Sequence, residues 1–290
     1  MEHILDTFFS GITLSCIYAI IGYGIMVFFS VTKVLHFSAG EFAMLGGMIS
    51  ASLHGAGLPL AVAITLAVII SCVISYISWN IFIRQPISRG YTVDVLIFLT
   101  TGLHLLIASI AFLIWSTDFK ELPNFADISP IKVAGASISP QAPWIWGIVL
   151  LMIIMLSILF DRTLIGKGLR ASAIQPIAAR LMGINPLTMA FLSFMLVAFL
   201  ASVGGAILTP LVMTQYSVGI GLTIKGFLAG AAGGLNKAQG PLIGGLILGL
   251  TESFAGAFIS SSYMIPISFA VLLLILLIRP QGILGVKEEV

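Results

Sequence analysis

Apolar stretches long enough to cross a lipid bilayer recur along this chain from its first residues to its last. A helix needs about 20 apolar residues to span a hydrocarbon core about 30 Å thick. Runs of that order are expected at 8–29, 38–55, 60–83, 93–115, 144–160, 187–209, 222–236, 240–259 and 264–278. Charged residues are 8% of the 290, whereas a soluble domain carries about 25%, so water cannot be the main solvent of this surface. The runs are continuous rather than alternating in polarity, which selects helices over barrel strands, because each helix pairs its own backbone groups. The expected fold is all-α, a polytopic transmembrane bundle of about eight to ten spans forming a single domain over 1–290. The seventh and eighth runs are short and rich in glycine, which suggests broken or re-entrant helices there.

Where the charges fall gives an orientation. With the C-terminus inside, Lys33, Arg84, Arg89, Arg162, Lys167, Arg170, Arg180, Lys237, Arg279 and Lys287 lie on the cytoplasmic side. Only Lys120, Lys132 and Lys225 remain outside, a bias of the kind that positions membrane proteins. An odd number of spans then puts the N-terminus outside. The start carries Glu2 and Asp6 but no Lys or Arg, so it lacks the basic region of a removable signal and reads as part of a permanent span. Cys16 and Cys72 lie inside apolar runs and read as small buried residues.

Two connections are long. Segment 116–143, external in this orientation, holds Asp118, Lys120, Glu121 and Asp127, and its prolines 123, 130, 140 and 143 oppose a long helix. Segment 161–186, cytoplasmic, carries more information. Pro176 suits the first turn of a helix, Ile177, Leu181 and Ile184 then share a face, and Gly183 stands where that helix ends, with Arg180 exposed. A basic helical stretch from Lys167 to Ala173 precedes it. A short amphipathic helix between two spans fits the groove of a soluble partner or an anchorage in lipid headgroups.

The pattern Arg162, Thr163, Gly166, Leu169, Arg170, Ala171, Ala173, Pro176, Ala178, Ala179, Leu181, Gly183, Ile184 resembles the cytoplasmic coupling loop of branched-chain amino acid ABC permeases of the LivH/LivM type. Two further blocks are similar to that family: Phe37-Ser38-Ala39-Gly40-Glu41-Phe42-Ala43-Met44-Leu45-Gly46, and the glycine run through Gly226, Gly233, Gly234, Gly240, Gly244, Gly245, Gly249 and Glu252 to Arg279-Pro280-Gln281-Gly282. The chain departs from the family pattern at His36, Ser38 and Ala39, where Asn, Ala and His are usual.

The resemblance implies a permease subunit of the bacterial inner membrane, with branched-chain or related amino acids as cargo. Urea, short amides or aromatic acids are the same-family alternative. It implies a second permease subunit, homologous or identical, two cytoplasmic ATP-binding subunits and a periplasmic substrate-binding protein, with ATP held by those partners and no cofactor on this chain. Coupling would rest on Gly166, Arg170, Ala178, Ala179, Arg180, Leu181 and Gly183. The solute path is expected along Phe37, Ser38, Gly40, Glu41, Gly230, Gly233 and Gly234.

Glu41 reads either as a carboxylate favouring a helix N-terminus or as a lining of the path; Glu252 reads as an interhelical hydrogen-bond partner and His104 as a packing residue. The glycine stripes allow close helix approach in lipid. No G-x-x-x-x-G-K-[ST] loop exists to hold ATP, and no H-E-x-x-H or G-x-S-x-G pattern supports an enzyme. Nothing basic enough for nucleic acid is present. A stand-alone secondary transporter would need ion-coupling carboxylates, for which Glu41 and Glu252 are the only support.

Overall fold

The computed structural model describes residues 2–126, 130–133, 135–235 and 239–285. Three of the charges weighed above, Asp127, Lys237 and Lys287, lie outside the described residues. In chain order the helices are α1 (Glu2–Thr32), α2 (Ala39–Gly55), α3 (Leu60–Ser78), α4 (Arg84–Ser88), α5 (Val93–Trp115), α6 (Gln141–Arg162), α7 (Leu164–Ile174), α8 (Pro176–Leu181), α9 (Pro186–Leu208), α10 (Val218–Gly233), α11 (Gly240–Phe258) and α12 (Met264–Ile278). A π-turn, Trp79–Ile83, joins α3 to α4, so Leu60–Ser88 forms one long apolar helix. Seven of these helical stretches are long and apolar enough to cross a membrane.

The helices sort into an inner set and an outer ring. The apolar stretches of α1 and α9 are 78% and 67% buried, whereas those of α6 and of Ser261–Ile278, which holds α12, are 17% and 11% buried. The short helices α2 and α10 pack inside, α2 against α9 and α10 against α1 and α11. Outer helices need only a narrow buried stripe, such as Leu96, Thr100, Leu103, Ile107 and Ala111 on α5. Their remaining faces present residues like Phe98 and Leu113, 75% and 80% exposed, which suit lipid.

Small residues set the inner spacing. A Cβ added to Gly46 would overlap the Ser202 carbonyl, and one added to Gly205 would overlap that of Ala43. The axes of α2 and α9 are therefore as close as backbones allow, the arrangement that lets dispersion hold helices together where lipid removes the hydrophobic drive.

Two expectations are corrected. The eighth run is not broken: α11 is a continuous helix, because its glycines 245 and 249 lie against α1 and are held there by packing. The seventh run, expected at 222–236, begins earlier, at Val218. Lys225, counted among the outside charges, is a helical residue facing into the bundle and is no guide to loop orientation.

Among its described residues, segment 116–143 carries no long helix before α6 begins at Gln141. It forms a hairpin, β1 (Ile131–Val133) paired antiparallel with β2 (Ala136–Ile138), which rests on the start of α1 through a bond from the Ser137 N–H to Asp6 Oδ1 of 2.6 Å. Lys120 and Thr214 pair backbone to backbone in both directions at 2.9 Å, tying this segment to the turn before α10.

Candidate functional site

At the opposite end of the bundle α1 finishes, α4 meets α5, and α7–α8 leads into α9. A cavity of about 620 Å³ opens among them, lined by Thr32, Ser88, Leu96, Arg180, Asn185 and Leu187. Local sequence fixes each turn here. The Thr163 hydroxyl caps α7 by accepting from the Gly166 N–H at 3.1 Å, Pro176 starts α8, and Asn185 caps α9 by accepting from the Leu187 N–H at 3.0 Å. Gly183 holds a φ of +83°, which ends α8 at little cost only for glycine.

The coupling residues read from sequence divide into two kinds. Gly166 is buried, and a Cβ there would strike the Leu159 carbonyl, so it packs α7 onto α6. Ala179 is 4% exposed and also faces inward. Arg170 pairs with Asp161 at 2.6 Å on the surface, and Ala178, Arg180, Leu181 and Gly183 are exposed. The outward face of the segment is apolar: Ile174, Ile177, Leu181 and Met182 are 81%, 79%, 84% and 82% exposed. Ile184, expected on the face of Ile177 and Leu181, is half-buried, because the turn at Gly183 rotates it towards α9.

The residues expected to line a path fall into two places. Phe37, Ser38, Gly40 and Glu41 gather where the N-terminal ends of α2 and α10 cross. There the Thr223 hydroxyl accepts from the Gly40 N–H at 2.8 Å and donates to the Phe37 carbonyl at 3.0 Å. Glu41 is fully buried, its carboxyl against Gly219 in the first turn of α10, where the helix dipole favours negative charge. Its Oε1 lies 2.7 Å from His104 Nδ1 of α5, and among the described residues Oε2 has no hydrogen-bond partner. Ser38 bonds to His36, a buried ring among Phe28, Phe42 and Phe194.

Gly230, Gly233 and Gly234 lie at the far end of α10. From Gly219 to Gly233 is about 21 Å at 1.5 Å per residue, and Gly233 and Gly234 pack on Gly240 and on the 281–285 turn. They serve a helix junction there and do not meet Glu41.

Sequence reading missed Thr223 and Gly219 as parts of this crossing, missed Thr100 beside it, whose hydroxyl donates to the Leu35 carbonyl at 3.1 Å, and missed the partnership of Lys225. Lys225 Nζ lies 3.0 Å from Glu252 Oε2 and 2.9 Å from Tyr18 Oη. Tyr18 donates to the same Oε2 at 2.5 Å. The interhelical role expected of Glu252 is what these contacts describe. Among the described residues no group of three or more metal-ligating side chains occurs.

Fold and site together define a polytopic helical membrane protein whose polar groups are held between its spans. The family model described as "Branched-chain amino acid transport system / permease component" matches residues 7–278. This chain belongs to that family. It is 30% identical over 300 residues to the high-affinity branched-chain amino acid transport system permease protein LivH of Salmonella typhimurium, covering 99% of this chain and 97% of that protein. The Escherichia coli K12 LivH is 29% identical with the same coverage, and BraD of Pseudomonas aeruginosa, with the same description of its role, is 28% identical over 306 residues.

Proposed function

We propose that this chain is the membrane-spanning permease subunit of an ATP-driven importer of branched-chain or closely related amino acids, in a bacterial inner membrane. Its partners in this reading are a second permease subunit, two cytoplasmic ATP-binding subunits and a periplasmic binding protein. The C-terminus and the α7–α8 segment face the cytoplasm, and the N-terminus faces the periplasm. The names of the relatives support the cargo. The observation that carries the assembly is the outward apolar face of α7–α8, flanked by Arg170 and Arg180.

Four large apolar side chains nearly fully exposed at the end of a bundle, outside its spans, suit the groove of a soluble partner. The segment is also built to transmit force. Gly166 locks α7 to the backbone of α6, α7 touches α1 and α9, and Ala179 seats α8 inward. A push on Ile177 and Leu181 is thus delivered to two inner helices, α1 and α9, and through α9 to α2 and the Glu41 crossing.

The test is reconstitution with the neighbouring ATP-binding and binding-protein subunits. Wild type is compared with the Ile177→Glu, Leu181→Glu double variant, whose side chains are exposed and whose substitution leaves the chain's own packing intact. Co-purification of the ATP-binding subunits should be lost and ATP-driven uptake should fall by roughly 30-fold or more, the loss of one interface hot spot. Normal association and uptake in a normally inserted variant would remove α7–α8 as the docking element.

A further inference from the structure

A second cavity, of about 430 Å³, lies among α1, α2, α9, α10, α11 and the start of α12. Its wall is mostly apolar, with Leu14, Met213, Val218, Leu222, Met264 and Ile265 on different sides. Tyr18, Lys225 and Glu252 enter it as one connected group. Lys225 keeps 26% of its side chain exposed and Glu252 keeps 3%, so the cation borders the open space and the anion stands behind it. The ammonium also lies 5.0 Å from the centre of the Tyr18 ring. Among the described residues, both hydrogen bonds to Glu252 fall on Oε2.

We infer that this cavity binds the zwitterionic head of an aliphatic α-amino acid, with Lys225 receiving the α-carboxylate, Glu252 the α-ammonium, and the apolar wall the side chain. The inference rests on the amino-acid reading above and gives the solute a place that the Glu41 crossing, packed backbone to backbone, does not offer.

Charge balance argues for this occupant. A charged group inside a span is costly unless paired. In this structure the two charges pair with each other. A zwitterion replaces that single pair by two, carboxylate on Lys225 and ammonium on Glu252, and the site stays neutral before and after. A carboxylic acid lacking the amine strands Glu252, and an amine lacking the carboxylate strands Lys225. Sites whose buried polar groups are left unpaired reject such analogues far more strongly than they reject a change of one methylene. Tyr18 holds Glu252 by donating to it, so the anion keeps its place while the partly exposed Lys225 turns from it to the ligand carboxylate. The scale of the cavity falls within the usual range for small-molecule sites, about 300–1,000 Å³.

The test uses the full chain in proteoliposomes with its partner subunits, Cys16 and Cys72 replaced by serine, and Met213→Cys placed on the cavity wall. The rate of thiosulfonate labelling at that cysteine is followed with L-leucine, with 4-methylpentanoate, which lacks the ammonium, and with 3-methylbutylamine, which lacks the carboxylate. Labelling should slow by a factor of one plus ligand over Kd, about fivefold at four times Kd, with leucine alone. Lys225→Gln and Glu252→Gln should each abolish the protection. Equal protection by all three compounds, or by none, overturns the inference, and the comparison in the unsubstituted triad does so even where those variants misassemble. ATP-driven leucine uptake by the same vesicles is read separately. If uptake fails while protection holds, the transport reading falls and the site stands; if uptake holds without selective protection, the site falls alone.

Discussion

Removing His104 should damage this protein more than neutralising Glu41. The Glu41 carboxyl is fully buried and among the described residues has one hydrogen-bond partner, the imidazole 2.7 Å away, while Oε2 has none. His104→Leu therefore leaves both carboxyl oxygens orphaned inside the bundle. Glu41→Gln keeps an oxygen or an amide group within reach of the ring. Interhelical hydrogen bonds in membrane proteins average only about 0.6 kcal/mol in double-mutant cycles and reach about 1.7. Full burial and a single partner put this pair at the upper end, so we expect a coupling of about 1.5 kcal/mol, tenfold in the folding equilibrium. The favourable placement of Glu41 at the first turn of α10 is retained when His104 changes, so it drops out of the cycle. The measurement is reversible unfolding in mixed micelles, followed by tryptophan fluorescence, for Glu41→Gln, Glu41→Leu, His104→Leu and the Glu41→Leu, His104→Leu double variant. The double variant should be more stable than His104→Leu alone. A coupling under about 0.5 kcal/mol, or a His104→Leu variant as stable as Glu41→Gln, would refute the reasoning, since it would mean that the orphaned carboxyl costs nothing.

Other perturbations separate packing from open space. Gly205→Leu drives a side chain into the Ala43 carbonyl and should cost about 3 kcal/mol or prevent assembly, whereas Gly102→Ala on α5, with nothing within 4 Å, should be neutral or stabilise by up to about 1 kcal/mol; thermal unfolding in detergent compares them. Trp115→Phe removes the 2.7 Å bond from its indole N–H to Ser52 Oγ and should lower stability by about 1 kcal/mol in the same assay. Ala179→Glu forces a charge into the seat of α8 and should unfold that segment, read as new protease cleavage near 176–185, while Ala178→Glu on the exposed side should leave digestion unchanged.

Span positions could be read from sequence because lipid imposes one requirement, apolar length, that needs no knowledge of partners. Caps were legible for the same reason of locality: Thr163, Pro176, Gly183 and Asn185 act within a few residues. What escaped was long-range. His104 meets Glu41 across 63 positions and Tyr18 meets Glu252 across 234, and no spacing rule connects such pairs. Lys225, a lone charge in a glycine-rich run and counted among the outside charges, shows its partner only when α1 and α11 are placed beside it. The glycines after Phe227 resemble those before it, yet a helix axis separates the two groups, and composition has no way to register that distance. Ala178 and Ala179, adjacent and identical, face opposite ways because α8 begins at Pro176 and not elsewhere.

The division into inner helices and outer ring has an evolutionary consequence. On α12 beyond its start at the cavity, where only Ser268 and Leu272 are buried, most positions accept any side chain that dissolves in hydrocarbon, so substitutions there accumulate readily. On α2 and α9, where backbones touch, an added methyl group is already too much. Descendants of one ancestral chain will therefore diverge fastest in the parts that meet the bilayer. Identity that survives at great divergence will trace the contact lines of α1, α2, α9, α10 and α11, as a fossil imprint of how closely these helices must stand.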